Sequence, residues 1–142
     1  MLSEKKPFDD VQRAKLSRLR ILLAEDNYFN QIVLVDTLKV LLPGITIEVA
    51  ENGKEAIEKI KSEKFDLILM DVHMPEMNGF EAVRVIRTEL ASPLNKIKII
   101  ALTASITKKE INSCYAAGMD DYLPKPFEQE ELINKIAKLT VE

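Results

Sequence analysis

The sequence predicts an α/β fold: a doubly wound (βα)5 sandwich of three layers around a parallel sheet of order 2-1-3-4-5. Three observations carry that prediction. Short apolar runs alternate with amphipathic segments five times along the chain. Several of the runs are near-continuously apolar, as strands covered on both faces are. Strict alternation of strands and helices implies a parallel sheet flanked by helices, and right-handed crossovers leave few ways to arrange it. The order reversal beside the first strand then places a ligand crevice beyond the carboxyl ends of the strands.

Residues 1–18 stand outside the repeat. They read as an N-terminal linker or extension, helical from Asp10 to Leu19, with too few apolar positions to bury alone. The strand–helix domain spans residues 19–140 and opens with RILLA (20–24). A helix over 28–42 sets Ile32, Val35, Leu38 and Leu42 on one stripe before Pro43 and Gly44 stop it. TIEVA (46–50) is the second strand, and a helix over 54–62 turns Ala56, Ile57 and Ile60 inward. FDLILM (65–70) is the third strand. A helix over 79–90 follows Asn78 and repeats Phe80, Val83, Ile86 and Leu90. KIKIIAL (96–102) supplies the fourth strand, and a helix over 107–117 carries Ile111 and Cys114 up to Gly118. DYL (121–123) and a helix over 128–139, with Leu132, Ile133, Ile136 and Leu139 on one face, complete the set.

Composition narrows the function. The chain has 142 residues, enough for one domain with a core, and 46% of them are hydrophobic. A net charge of −3, with basic residues dispersed among acidic ones, gives no support to a nucleic-acid surface. One cysteine, Cys114, excludes an internal disulfide framework and a cysteine-based zinc site. The first residues lack the apolar core of a secretory signal, and no apolar run approaches the roughly 20 residues of a membrane helix. A cytoplasmic location is the expectation.

The chemistry collects after the strands. Glu25 and Asp26 follow the first, Asp71 closes the third, Thr103 follows the fourth and Lys125 the fifth. Each has a plainer reading alone: an acidic pair caps a helix, an aspartate ends a strand. A parallel sheet, however, brings all five to one edge. Three carboxylates held together repel one another unless a cation joins them. Oxygen ligands suit a hard ion, and Mg2+ is bound by one or two carboxylates with waters and a phosphate. Lys125, fixed between Pro124 and Pro126, adds a positive charge, and Thr103 adds a hydroxyl donor. Together they suit a phosphoryl group, with one carboxylate as nucleophile and Asp71, at a strand tip, the best placed.

The stretches LLAEDN, LILMDVHMPEMNGFE, IIALTA and GMDDYLPKPF resemble, in order and spacing, the receiver domain of two-component response regulators. The resemblance covers about residues 19–140, and AEDNYFNQ with LTA is most similar to receivers attached to hybrid sensor histidine kinases. It implies a flavodoxin-like fold and an Mg2+-dependent phosphorelay module, with Mn2+ as a substitute metal. It further implies that Asp71 accepts a phosphoryl group from a phosphohistidine on a histidine kinase or histidine phosphotransfer protein. Glu25, Asp26, Asp71 and the backbone carbonyl of His73 would bind the metal. Thr103 and Lys125 would contact the phosphoryl oxygens, and Tyr122 matches the switch aromatic that answers Thr103. The His73 side chain and Ser105 would tune the slow autodephosphorylation. Met74-Pro75 and Gly79 read as a rigid turn and a flexible residue opening the next helix.

The same residues bear on other readings. A receiver-like interaction module that works without phosphorylation sits poorly with an intact acceptor, acidic pair, threonine and lysine. A phosphatase with an aspartyl nucleophile needs a second acid two residues on, where this chain has His73. A flavin carrier lacks its Ser/Thr/Gly-rich loop after the first strand. His73 itself lies in a loop rather than on an exposed helix, which argues against a phosphohistidine. The chain reads as a fragment of a hybrid kinase, located in the cytoplasm or in the cytoplasmic part of a membrane-bound sensor, with a stand-alone receiver as the other reading. Homodimerisation, the output and the cognate kinase are left open.

Overall fold

The structure, a computed structural model, describes residues 8–141. Its elements in chain order are α1 (Asp10–Leu16), β1 (Arg20–Ala24), α2 (Tyr28–Leu41), β2 (Thr46–Ala50), α3 (Gly53–Ser62), β3 (Leu67–Asp71) and α4 (Gly79–Glu89). A short 3-10 turn precedes β4 (Lys98–Thr103), α5 (Lys108–Ala117), β5 (Asp121–Pro124) and α6 (Gln129–Thr140). The five strands form one sheet in the order β2-β1-β3-β4-β5, and every neighbouring pair is parallel. This is the doubly wound, flavodoxin-like arrangement that the alternation predicts.

Side chains alternate across a strand, so the apolar strands feed two cores. Leu67 and Leu69 of β3 join Leu23, Leu34, Leu38, Leu102, Leu132 and Ile136 beneath α2 and α6. Ile68 and Met70 join Leu22, Ile60, Val83, Ile86, Ile99 and Cys114 beneath α3, α4 and α5. Residues of β1, β3 and β4 are almost all buried, whereas edge strand β2 is half-buried. That is why the central strands read as continuous apolar runs. Five helices start on a side-chain cap: Asp9, Asn27, Asn52, Asn78 and Thr107 each accept a hydrogen bond from the amide three residues on. Each such cap is worth about 1 kcal/mol.

Three features differ from the sequence reading. On α2 the buried positions are Gln31, Leu34 and Leu38, while Ile32 is 40% exposed. The cause is Gln31, whose side-chain amide turns inward and donates to the Glu25 carbonyl at 2.7 Å. The inward face therefore lies one position before Ile32. Strand β3 begins at Leu67 because Asp66 turns aside, its carboxylate accepting from the Arg20 amide at 2.9 Å.

The third difference is at the N-terminus. The helix expected there forms, as α1 under a reciprocal capping box between Asp9 and Gln12, but it is docked on the domain rather than standing outside it. Phe8 and Leu16 are buried in the same core as Leu42 and Ile45. Gly44 lies so close that a Cβ there would sit 2.6 Å from the Ser17 carbonyl oxygen. Two apolar side chains, too few for a core of their own, are enough to dock a helix on an existing one. Residues 1–7 of the segment lie outside the described residues.

Candidate phosphoryl and metal site

Register sets the site. Ala24 pairs with Met70, Asp71 with Leu102, and Thr103 with Pro124. The next residues, Glu25 and Lys125, therefore step out along the same edge as Asp71 and Thr103. Backbone hydrogen bonds hold that edge: Glu25 N–H donates to Ala50 at 2.9 Å, and Lys125 N–H to Thr103 at 2.8 Å.

Two acids are buried here, Glu25 at 2% exposure and Asp71 at 5%, while Asp26 is exposed beside them. A carboxylate oxygen of each lies within 4.8 Å of the other two. Lys125 Nζ sits 3.1 Å from Glu25 Oε1 and 3.1 Å from Asp71 Oδ2. Burial works against the ammonium charge, yet the attraction of Asp71 and the hydrogen bond to Glu25 outweigh it. The Lys125 pKa is held above the ordinary lysine value. Three carboxylates and one ammonium leave two negative charges unmatched, which is the charge of a divalent cation. The donor set is all oxygen, the chemistry of a hard ion such as Mg2+. The remaining oxygens are oriented by amides: Asn27 N–H donates to Glu25 Oε2 at 3.1 Å, and His73 N–H to Asp71 Oδ1 at 3.2 Å.

A scan of family models matches residues 21–137 to the response regulator receiver domain. The chain belongs to that family. It is similar to receiver domains of hybrid sensor histidine kinases. It is 40% identical over 128 residues to hybrid signal transduction histidine kinase B of Dictyostelium discoideum, covering 84% of this chain. It is 36% identical over 147 residues to histidine kinase 5 of Arabidopsis thaliana, covering 87% of this chain. It spans only 6% and 16% of those proteins' own lengths. Among solved structures, the receiver domain of a Pseudomonas aeruginosa sensor histidine kinase matches with a TM-score of 0.77 and 36% identity. The match covers 85% of this chain and 96% of that one, and the Pseudomonas structure holds a magnesium ion coordinated in its active-site cleft. The receiver domain of a Saccharomyces cerevisiae response regulator, crystallised with a histidine phosphotransfer protein, matches with a TM-score of 0.77 and 31% identity. There the match covers 87% of this chain and 89% of the yeast one.

The receiver's other expected residues lie around this cluster in a particular arrangement. Thr103 is fully buried, and its hydroxyl is hydrogen-bonded to the Ser105 carbonyl at 3.0 Å and to Glu110 Oε2 at 3.1 Å. Ser105 N–H donates back to Thr103 Oγ1 at 3.1 Å. The exposed His73 ring reaches the same Glu110 oxygen, Nε2 to Oε2 at 3.3 Å, and meets Phe80 edge-on at 6.4 Å. Tyr122, on β5, is half-buried. Tyr115 meets its ring edge-on at 6.4 Å, and Lys135 Nζ lies 4.4 Å from its centroid. Strand order brings the acids and Lys125 into contact, but the Thr103 hydroxyl and the Tyr122 ring are engaged elsewhere.

Sequence reasoning missed four contributors. Gln31 anchors the Glu25 carbonyl, and Glu110 engages Thr103 and His73. Gly79 reads as a flexible residue, but its role is close approach: a Cβ there would fall 2.3 Å from the Asp71 carbonyl oxygen. Arg87 donates to the carbonyls of Gly118, Asn95 and Ile97 and pairs with Asp120 at 3.1 Å. The helical spacing of Arg87 carries no sign of this, although the paired acids in GMDDYLP offered a partner to look for.

Proposed function

We propose that this receiver domain takes a phosphoryl group from a partner's phosphohistidine onto Asp71, changes a protein-binding surface, and then loses the group slowly by hydrolysis. The observation that carries the reading is Lys125 Nζ at 3.1 Å from both buried carboxylates, with the third acid beside them. In the transfer, the Asp71 carboxylate attacks phosphorus as the N–P bond breaks. Its electron pair stays on the imidazole nitrogen, which takes a proton. Lys125 loosens from Asp71 and pairs with a phosphoryl oxygen, and Thr103 supplies a hydroxyl donor. Hydrolysis returns the carboxylate and releases phosphate.

Glu25, Asp26, Asp71 and the His73 carbonyl would hold Mg2+, which when bound supplies positive charge against the phosphoryl oxygens. Mn2+, with the same charge and oxygen preference, would take the same ligands. The partner would be a histidine kinase or histidine phosphotransfer protein. Phe29 and Val33 line one groove with Glu25 and Lys125 and offer an apolar rim for it. On the output side, Tyr122 would move with Thr103 and reshape the surface that includes exposed Ile106 and Tyr115. Ser105 and the His73 side chain flank the approach of the hydrolytic water.

Incubation with acetyl phosphate and Mg2+, followed by intact-mass measurement, tests the reading. One hydroxylamine-labile phosphoryl group is expected, absent with a chelator and absent in Asp71→Asn. Labelling of Asp71→Asn at the wild-type level would overturn it.

A further inference from the structure

Helix α5 begins with Thr107 as its cap and Glu110 three residues on, the spacing of a reciprocal capping box. The boxes at α1 and α4 are complete, with the third residue's side chain reaching back to the cap amide. At α5 only half forms. Thr107 accepts from Glu110 N–H at 3.2 Å, but the Glu110 carboxylate points to the site instead. There a single oxygen, Oε2, contacts Thr103 Oγ1 at 3.1 Å and His73 Nε2 at 3.3 Å. Thus one acid on α5 ties together the end of β4 and the loop after β3, the two segments that flank Asp71.

A hydroxyl has one proton to donate. The Thr103 proton is shared between the Ser105 carbonyl and the Glu110 carboxylate, and a charged acceptor binds it the more strongly. The same proton is the one a phosphoryl oxygen on Asp71 requires. The two demands exclude each other, and a carboxylate kept beside the phosphoryl group would also repel it.

We propose that Glu110 is a positioning residue that holds the Thr103 hydroxyl and the His73 loop in the resting arrangement and thereby opposes phosphoryl binding at Asp71. This rests on the phosphoacceptor reading above. Glu110 acts through Thr103, so its removal frees the hydroxyl for the phosphoryl group. Glu110→Gln keeps the shape and a weaker acceptor; Glu110→Ala removes the competitor.

The test is the affinity of the full chain for beryllofluoride with Mg2+, measured by calorimetry on wild type, Glu110→Gln and Glu110→Ala. Each is repeated in a Thr103→Ala background, and thermal melts are recorded without ligand. Binding should tighten about threefold for Glu110→Gln and about tenfold for Glu110→Ala, the effect of releasing one charge-assisted hydrogen bond. The gain should vanish with Thr103→Ala. A purely structural role would lower the melting temperature without tightening binding. Unchanged or weaker binding by Glu110→Gln, or an equal gain without the threonine, overturns the proposal. If Glu110→Ala does not fold, the isosteric Glu110→Gln decides alone. Wild type failing to bind beryllofluoride would instead overturn the phosphoacceptor reading, and this proposal with it.

Discussion

Lys125 is the residue on which the electrostatics of the site turn. It is the cation that lets Glu25 and Asp71 stay buried side by side, and its raised pKa keeps it charged at neutral pH. Lys125→Ala leaves the acids in place for a metal but removes the charge proposed to meet the phosphoryl group. Mg2+ affinity, read by titration, should be retained, and the rate of phosphoryl uptake, followed by intact mass, should fall about tenfold. An unchanged uptake rate would count against that role. The acids, Thr103 and Lys125 were legible in the sequence because strand ends in a parallel sheet share one edge. Glu110 and Gln31 were not, because each acts through a side-chain hydrogen bond around a loop. Neither hydrophobic period nor motif spacing encodes such a bond. Cys114 needed no such reading: it is buried, and burial pushes its thiol up to about 11, so it stays protonated at neutral pH.

Elements were more legible than their contacts. The alternating runs located all five strands and the helices that follow them, since burial on both faces forces continuous apolar strands and amphipathic helices. Rotation of α2 about its axis was not legible, because a glutamine on the apolar side counts as polar in any periodicity. The strut joining α4 to the turn before β5 also escaped. Burial lowers the Arg87 pKa, but pairing with Asp120 opposes that, and the guanidinium remains charged among three carbonyls. Asp120 in turn accepts from Ile99 N–H at 2.8 Å, so the pair fixes the start of β4 as well. Arg87→Ala strands these groups and should cost about 2–4 kcal/mol in urea unfolding. Phosphoryl uptake at a permissive temperature should persist, because Arg87 touches none of the site residues. A loss below 0.5 kcal/mol would show that water replaces the strut.

At the scale of the whole molecule, the fold delivers four strand ends to one crevice and spends its two cores on holding them level. The N-terminal segment belongs to that construction. Leu16 is fully buried, and Phe8 nearly so, in the core shared with α2 and α6. Leu16→Ala should therefore destabilise the chain by about 2–4 kcal/mol in urea unfolding, whereas a tethering segment would tolerate it within about 0.5 kcal/mol. The sequence could not show this, since scattered apolar residues in a polar stretch have the composition of a linker until a partner surface is known. Among the described residues no helix is long and apolar enough to cross a membrane. This edge is proposed to present Asp71 as the phosphoryl acceptor. The most direct measurement traps the phosphorylated chain with borohydride, which reduces an aspartyl phosphate to homoserine, and maps the peptides by mass. Homoserine at position 71 alone is the expected result. Reduction at Asp26 or Glu25, or a phosphoryl group retained on His73, would contradict it.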